Sequence, residues 1–148
     1  MIINLTQHKA TVEQIEQGVI DLPELYRKDL ISFLTFNDIP SKEEIEYRVY
    51  SIFNLVVDFC INLDSPIGEK VRTMVTDEEI FIEESEFKNL DISFMLGGAP
   101  FLMSSLEKEL KHFGRCLYAF SKREAKEVES EGVVVKKAIF KHIGFVEV

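Results

Sequence analysis

Two kinds of apolar pattern alternate along the chain, and together they predict an α/β fold. Short continuous apolar runs at residues 1–5, 92–96 and 116–120 are typical of buried parallel strands. The segments between them repeat apolar residues at the spacing of one helix face. Strands separated by helical segments favour a parallel sheet with right-handed crossovers.

Helix starts are marked by capping residues. Ser41 is followed by Glu44 three positions later, which is the capping-box pattern, and the helix after it is predicted to be the longest element. Thr11 and Gln14 repeat the pattern before a shorter helix. Two further helices are predicted over residues 23–34 and 101–113.

The C-terminal part changes character. Residues 124–130 and 133–141 alternate around a Glu131-Gly132 turn, which predicts a β-hairpin. We therefore expect one domain over residues 1–148, a Rossmann-like three-layer α/β sandwich with a mostly parallel sheet and a C-terminal β-hairpin. The acidic segment 64–90, in which residues 80–82 could form a small strand or a helix turn, is interpreted as an elaboration of this core.

Composition narrows the class of protein. The chain has 148 residues, 46% of them hydrophobic, which is typical of a globular domain with a sizeable core. Its formal net charge of -9 argues against general nucleic-acid binding, which needs a basic face. The N-terminus lacks the features of a signal peptide, and the apolar stretches are too short to span a bilayer. We therefore expect a cytoplasmic protein without membrane contact.

Two cysteines, Cys60 and Cys116, lie within apolar runs and are predicted to be buried, reduced thiols. The cysteines and histidines lack the spacing of a metal site, so no metal or cofactor is predicted.

Polar residues follow each of the three predicted strands, where the carboxyl ends of parallel strands would form one crevice. Together they supply an imidazole, two cations, hydroxyls and a glycine turn, a set suited to a phosphate or a carboxylate. The candidate ligand-binding residues are Asn4, Thr6, Gln7, His8, Gly97, Gly98, Ala99, Pro100, Ser121, Lys122 and Arg123. His8 is also the candidate acid or base if the protein is an enzyme, which the sequence leaves open.

Each piece has an alternative interpretation. Gly97-Gly98 is not a dinucleotide or Walker motif, and could serve only a tight turn and close helix packing. His8 could cap a loop or a helix end, and Lys122 and Arg123 could be solvated surface charges. His142 is expected to pack on the hairpin, with a role in the site as the alternative.

Four blocks of residues form a specific set: Asn4-Leu-Thr-Gln-His8, Gly97-Gly-Ala-Pro-Phe101, Tyr118-Ala-Phe-Ser121 with Arg123, and Phe140-Lys-His142 with Gly144-Phe-Val146. These blocks resemble the motifs of a family of short, mostly uncharacterised bacterial and phage proteins. The layout is also similar to that of Rossmann-like CRISPR-associated proteins that bind or cleave cyclic oligoadenylates. That second resemblance implies a polar or basic pocket on a dimer axis.

Two functions are consistent with these features. The first is binding of a phosphorylated or nucleotide-like small ligand at the carboxyl ends of the strands. The second is a non-enzymatic, acidic protein-interaction module, possible in a phage context, because an acidic surface docks on basic partners. The apolar strands of the hairpin would be sticky if left unpaired, which favours a homodimer.

Overall fold

The protein is described by a computed structural model that covers residues 1–74 and 90–148. The strands and helices of these residues, in chain order, are β1 (Ile2–Leu5), α1 (Val12–Glu16), β2 (Val19–Asp21), α2 (Glu24–Leu34), α3 (Lys42–Ile61), α4 (Pro66–Met74), β3 (Ser93–Leu96), α5 (Pro100–Leu110), β4 (Arg115–Ser130) and β5 (Val133–Glu147). Of the predicted elaboration at residues 64–90, the structure describes residues 64–74, which contain α4, and Leu90. The expected strand or helix turn at residues 80–82 lies outside the described residues.

The five strands form one sheet in the order β2-β1-β3-β4-β5. The first four strands are parallel, and β5 pairs antiparallel with β4. The prediction of an α/β fold with a mostly parallel sheet and a C-terminal antiparallel hairpin is therefore confirmed. The Rossmann-like three-layer arrangement stays a prediction.

Two elements differ from the sequence-based expectation. The edge strand β2 was missed because its three residues are too few to show a period. Residues 116–120 were expected to form a strand separate from the hairpin, whereas β4 runs unbroken from Arg115 to Ser130. The apolar pattern fades after Phe120 because both faces of the ribbon are exposed there, while the backbone pairing with β5 continues.

The two faces of the sheet carry different side chains. Ile3, Phe94 and Cys116 lie side by side in register and belong to the main hydrophobic core. The same core includes fully buried side chains of the helices: Leu30, Ile52, Leu102, Leu106 and Leu110. The opposite face carries Asn4, Met95 and Leu117 in register. The helices therefore bury one face of the sheet, and these three side chains of the opposite face, including the polar Asn4, are also buried.

Cap geometry follows the sequence closely. The Thr11 side chain accepts a hydrogen bond from the Gln14 backbone, and the Gln14 side chain accepts one from the Thr11 N–H. Ser41 accepts from the Glu44 N–H at the start of α3. None of the helices in residues 1–74 and 90–148 is long and apolar enough to cross a membrane.

Candidate functional site

The loop after β1 is built around the side chain of Asn4, which is 0% exposed. Its Nδ2 donates to Asp21 Oδ1 at 2.6 Å and to the His8 carbonyl at 2.8 Å. Its Oδ1 accepts from the Thr6 backbone N–H at 3.0 Å and lies 2.8 Å from the Thr6 hydroxyl. These contacts use both amide N–H groups and both oxygen lone pairs. Asn4 therefore holds the loop from beneath.

A buried arginine supports the same loop from α2. Arg27 is only 7% exposed, and its guanidinium donates to the Gln7 carbonyl at 2.7 Å and to the His8 carbonyl at 3.4 Å. Sequence reasoning missed this residue. Its position in the sequence could have indicated that it is buried, because Arg27 shares a helix face with the core residues Leu30 and Leu34.

The loop is also tied to the C-terminal end of α2. Gln7 Nε2 donates to the Leu34 carbonyl at 3.2 Å and lies 3.1 Å from Thr35 Oγ1. The loop backbone is thus held by a strand residue and a helix, while the His8 ring remains exposed. A loop held in this way loses little conformational entropy when a ligand binds.

The two glycines after β3 permit a close approach of neighbouring groups. A Cβ on Gly97 would lie 3.1 Å from Thr6 Cγ2, and one on Gly98 would lie 3.2 Å from Met103 Cε. Neither glycine has a positive φ. Their small size therefore matters more here than their conformational freedom, and it lets the loops after β1 and β3 come together.

Helix α5 begins directly after these glycines. Ala99 is the N-cap and provides no side-chain hydrogen bond, while Pro100 occupies the first turn. Pro100 has no N–H, and the Leu102 N–H donates to the Ala99 carbonyl at 3.0 Å, so the helix dipole is the main attraction that this end offers an anion. The start of α5 therefore adds a partial positive charge beside the glycine turn.

A cleft of about 470 Å³ lies where these elements meet. It is lined by Thr6, Gln7, His8, Lys9, Thr11, Gln14, Met95, Leu96, Gly97, Gly98, Tyr118 and Ala119. Among the described residues, those that line the cleft include an imidazole and an ammonium group but no carboxylate. This is a local exception in a chain with a net charge of -9.

Tyr118 borders the cleft, but its hydroxyl is already engaged. The hydroxyl donates to Glu107 Oε1 at 2.6 Å. Burial, and then the hydrogen bond to Glu107, raise the pKa of Tyr118 well above its usual value of 10.0. Tyr118 is therefore a poor acid–base group in this arrangement, whereas His8 and Lys9 are ionisable side chains exposed at the cleft.

The predicted site residues of β4 lie further out. Ser121, Lys122 and Arg123 are exposed on the hairpin and do not line the cleft, which ends on this strand at Ala119. Arg123 follows Ala119 by four residues, or roughly 13 Å of extended chain. Of the predicted set, the structure thus brings Thr6, Gln7, His8, Gly97 and Gly98 together at the cleft. Ala99 and Pro100 begin α5 beside it.

The base of the hairpin is fixed against α1. His142 is 6% exposed, its Nε2 lies 3.3 Å from Gln17 Oε1, and its ring centre is 4.8 Å from that of Phe145. These contacts place His142 in packing at the base of the hairpin.

A second hollow of about 510 Å³ lies at the amino ends of β3 and β4. Its cations are already neutralised, since Arg115 lies 3.6 Å from Asp91 and Lys111 lies 3.8 Å from Glu107. For an anionic ligand the carboxyl-end cleft is therefore the better candidate.

No three His, Cys, Asp or Glu side chains within residues 1–74 and 90–148 are grouped closely enough to hold a metal ion. Both cysteines are buried and free. Burial raises the pKa of Cys60 to about 12 and that of Cys116 to about 11.

We expect both thiols to resist a disulfide reagent in the native protein at pH 8, since roughly one Cys116 in a thousand is ionised there. Because burial raises both pKa values, the thiols' contribution to the free energy of unfolding is fully present below the unfolded pKa of 9.0. This contribution is lost as the pH rises from 9.0 through the folded-state pKa values of about 11 and about 12. Absorbance during thiol labelling, with denatured protein as the fully reactive control, tests the expected resistance of the two thiols to the reagent. Rapid labelling of the native chain would contradict it.

The model of the uncharacterized protein MJ1673 family matches residues 61–146. The chain belongs to this family. No curated protein and no solved structure matches it. The matched region contains β3, the glycine turn, α5 and the hairpin, whereas the Asn4–His8 loop lies before it. The candidate cleft is therefore half inside and half outside the matched region of this MJ1673 family member.

Proposed function

We propose that the protein binds a phosphorylated or nucleotide-like small ligand in the cleft at the carboxyl ends of β1 and β3. The observation that carries this proposal is the composition of the cleft lining, which contains His8 and Lys9 and no carboxylate among the described residues. In a chain with 26 acidic residues, this lining favours an anion over a cation.

The size and chemistry of the cleft support a nucleotide-like ligand. Its volume of about 470 Å³ is within the range of small-molecule sites. Met95 and Leu96 supply an apolar wall, while the start of α5 and Lys9 supply positive charge. A phosphate would lie near the glycine turn, and an apolar ring system would lie against β3.

Arg123 enters this proposal as a contact to the outer part of a longer ligand, whereas Lys122, the adjacent strand residue, lies on the opposite face of the ribbon. The distance of Arg123 along β4 is too great for a phosphate held at the glycine turn. It would contact a dinucleotide or a cyclic oligonucleotide. Cyclic oligonucleotides are the ligand class implied by the similarity in layout to CRISPR-associated Rossmann-like proteins. The resemblance of the motifs to those of bacterial and phage proteins is part of the same proposal.

If the protein also cleaves its ligand, His8 is the side chain positioned to transfer a proton. Its ring is exposed at the cleft while its backbone is held by Asn4 and Arg27. Lys9 would then stabilise the negative charge that develops on the phosphate.

Calorimetric titration with inorganic phosphate, mononucleotides and cyclic dinucleotides tests the proposal. We expect one of these anions to bind, and His8→Ala combined with Lys9→Ala to weaken it roughly 10- to 100-fold, because charge-assisted hydrogen bonds are lost. Lys28→Ala, an exposed change on α2, is the matched control and should leave affinity unchanged. Absence of heat with every anion would refute the proposal, as would equal binding by the double variant.

A second candidate function is an acidic protein-interaction module. The net charge of -9 and the exposed hairpin favour it. Capture of a basic partner by the wild-type chain, together with no binding of any anion, would favour this alternative.

A further inference from the structure

The outer part of the hairpin makes little contact with the rest of the chain. Every residue from 122 to 141 is exposed, and we call this segment the arm. It includes large apolar side chains, among them Phe140 at 71% exposure and Val134 at 63%. A two-stranded ribbon alone in water is only marginally stable. The arm therefore has the character of a surface that another molecule covers.

One face of the arm concentrates positive charge. Lys122 lies directly opposite Lys141, and Lys126 lies directly opposite Lys137. Like charges at opposed positions destabilise a strand pair. Because side chains alternate between faces, both lysine pairs are on the same face, which we call the lysine face. On the other face, Glu127 lies opposite Lys136, an attractive arrangement.

The lysine face also has apolar positions. Ile139 and the opposed pair Val128 and Val135 share it with the four lysines, and these three apolar residues are 37% to 51% exposed. Glu124, opposite Ile139, is also on this face, which therefore carries four lysines against one glutamate. A face that mixes lysines with branched apolar side chains suits an acidic protein surface, since a phosphate backbone offers nothing to pack on the valines.

Charge complementarity identifies the partner. The arm carries six lysine and arginine residues against four glutamates, whereas the remainder of the chain carries eleven against twenty-two acidic residues. The net charge is thus +2 for the arm and -11 for the body, of which -6 belongs to the residues that the structure describes. The exposed arm does not lie against its own body. The body of a second copy offers a surface of complementary charge.

We propose that the lysine face of the arm docks on the acidic body of a second copy, and that the two copies exchange arms about a two-fold axis. About nine residues of ribbon beyond Ser121 extend roughly 30 Å, which is enough to reach across a neighbouring domain. Each dimer then contains the contact twice, as two-fold symmetry requires. This assignment depends on the arm alone and is independent of the ligand proposed for the cleft.

Sedimentation equilibrium and light scattering of the full chain across a micromolar range test the proposal. We expect a dimer whose dissociation constant rises with salt, because the contact is electrostatic. Lys137→Glu should weaken the dimer roughly tenfold or more, and the Lys126→Glu, Lys137→Glu double variant should be monomeric. Lys136→Glu is the matched control, since it makes the same charge change at the adjacent position on the other face. Circular dichroism verifies that each variant is folded.

Cross-linking provides a second readout that does not depend on variants. Chains with normal and heavy nitrogen are mixed, and a carbodiimide joins lysine amines to nearby carboxylates. Peptides that link Lys126 or Lys137 of one isotope to an acidic residue of the other support the arm exchange.

Three outcomes would overturn the proposal. The first is a monomeric wild-type chain at every concentration, and the second is a dimer that Lys137→Glu and Lys136→Glu affect equally. The third is a monomer that binds a fluorescent DNA or RNA duplex through the lysine face, with Lys137→Glu abolishing the binding. That result would assign the arm to a nucleic acid.

Discussion

Replacing Asn4 by alanine is expected to destabilise the protein by about 3 kcal/mol, because it leaves buried polar groups without partners. The Thr6 N–H, the Asp21 carboxylate and the His8 carbonyl would each lose a hydrogen bond. For a chain of this length, that loss corresponds to a fall of roughly 6–12 °C in the melting temperature. Thermal unfolding followed by circular dichroism measures it.

The same variant is informative about the cleft. Asn4 positions the loop that carries His8. The affinity of the variant for an anion should therefore be lower even at temperatures at which the variant is still folded. Asn37→Ala removes an exposed asparagine and should change stability by less than about 0.5 kcal/mol. If Asn4→Ala and Asn37→Ala unfold at the same temperature, the structural role assigned to Asn4 is wrong.

Gly114→Ala is expected to destabilise the protein strongly, because a Cβ at this position would meet backbone atoms of β3's N-terminal flank. The new Cβ would overlap the carbonyl oxygen of Ile92 and lie 3.2 Å from Phe94 Cε2. The Ile92 carbonyl also accepts a hydrogen bond from Arg115 N–H at 3.1 Å, so the backbone at the start of the β3–β4 pair would have to move. We expect a loss of about 3 kcal/mol or more.

Urea denaturation measures this loss as a lower midpoint at an unchanged slope. Gly144→Ala is the matched control, because a Cβ at Gly144 meets nothing within 4 Å. That change should be neutral or stabilise the protein by up to about 1 kcal/mol, since alanine restricts the unfolded chain. Equal midpoints for the two variants would show that the crowding at Gly114 is relieved at no cost.

The positions of the site loops could be anticipated from sequence, but the roles of individual side chains could not. Parallel strands β1 and β3 end at the same edge, so His8 and Gly97 were predicted to lie near one another, and both line the cleft. Asn4 was grouped with them because it is polar and adjacent. Whether such a residue faces a ligand or supports a loop depends on which side of the strand it occupies relative to the core.

Arg27 is a residue of the site that the sequence did not predict. In sequence it is one charged residue in a polar helix segment, and nothing nearby reveals the carbonyl groups that it binds. Those carbonyls, of Gln7 and His8, are twenty and nineteen residues away. Contacts over such separations arise from packing, which a local pattern does not encode.

The sequence by itself determined the starts of α1, α2, α3 and α5, the strands β1 and β3, and the turn at Glu131-Gly132, because capping, burial and turn conformation are local properties. Only the tertiary structure decided that β4 and β5 continue as an exposed arm, and that the Lys126–Lys137 pair shares a face with Val128. Strand register depends on residues distant in the chain, and the stability of an exposed ribbon depends on what covers it, which can be another molecule. A local sequence pattern contains neither kind of information.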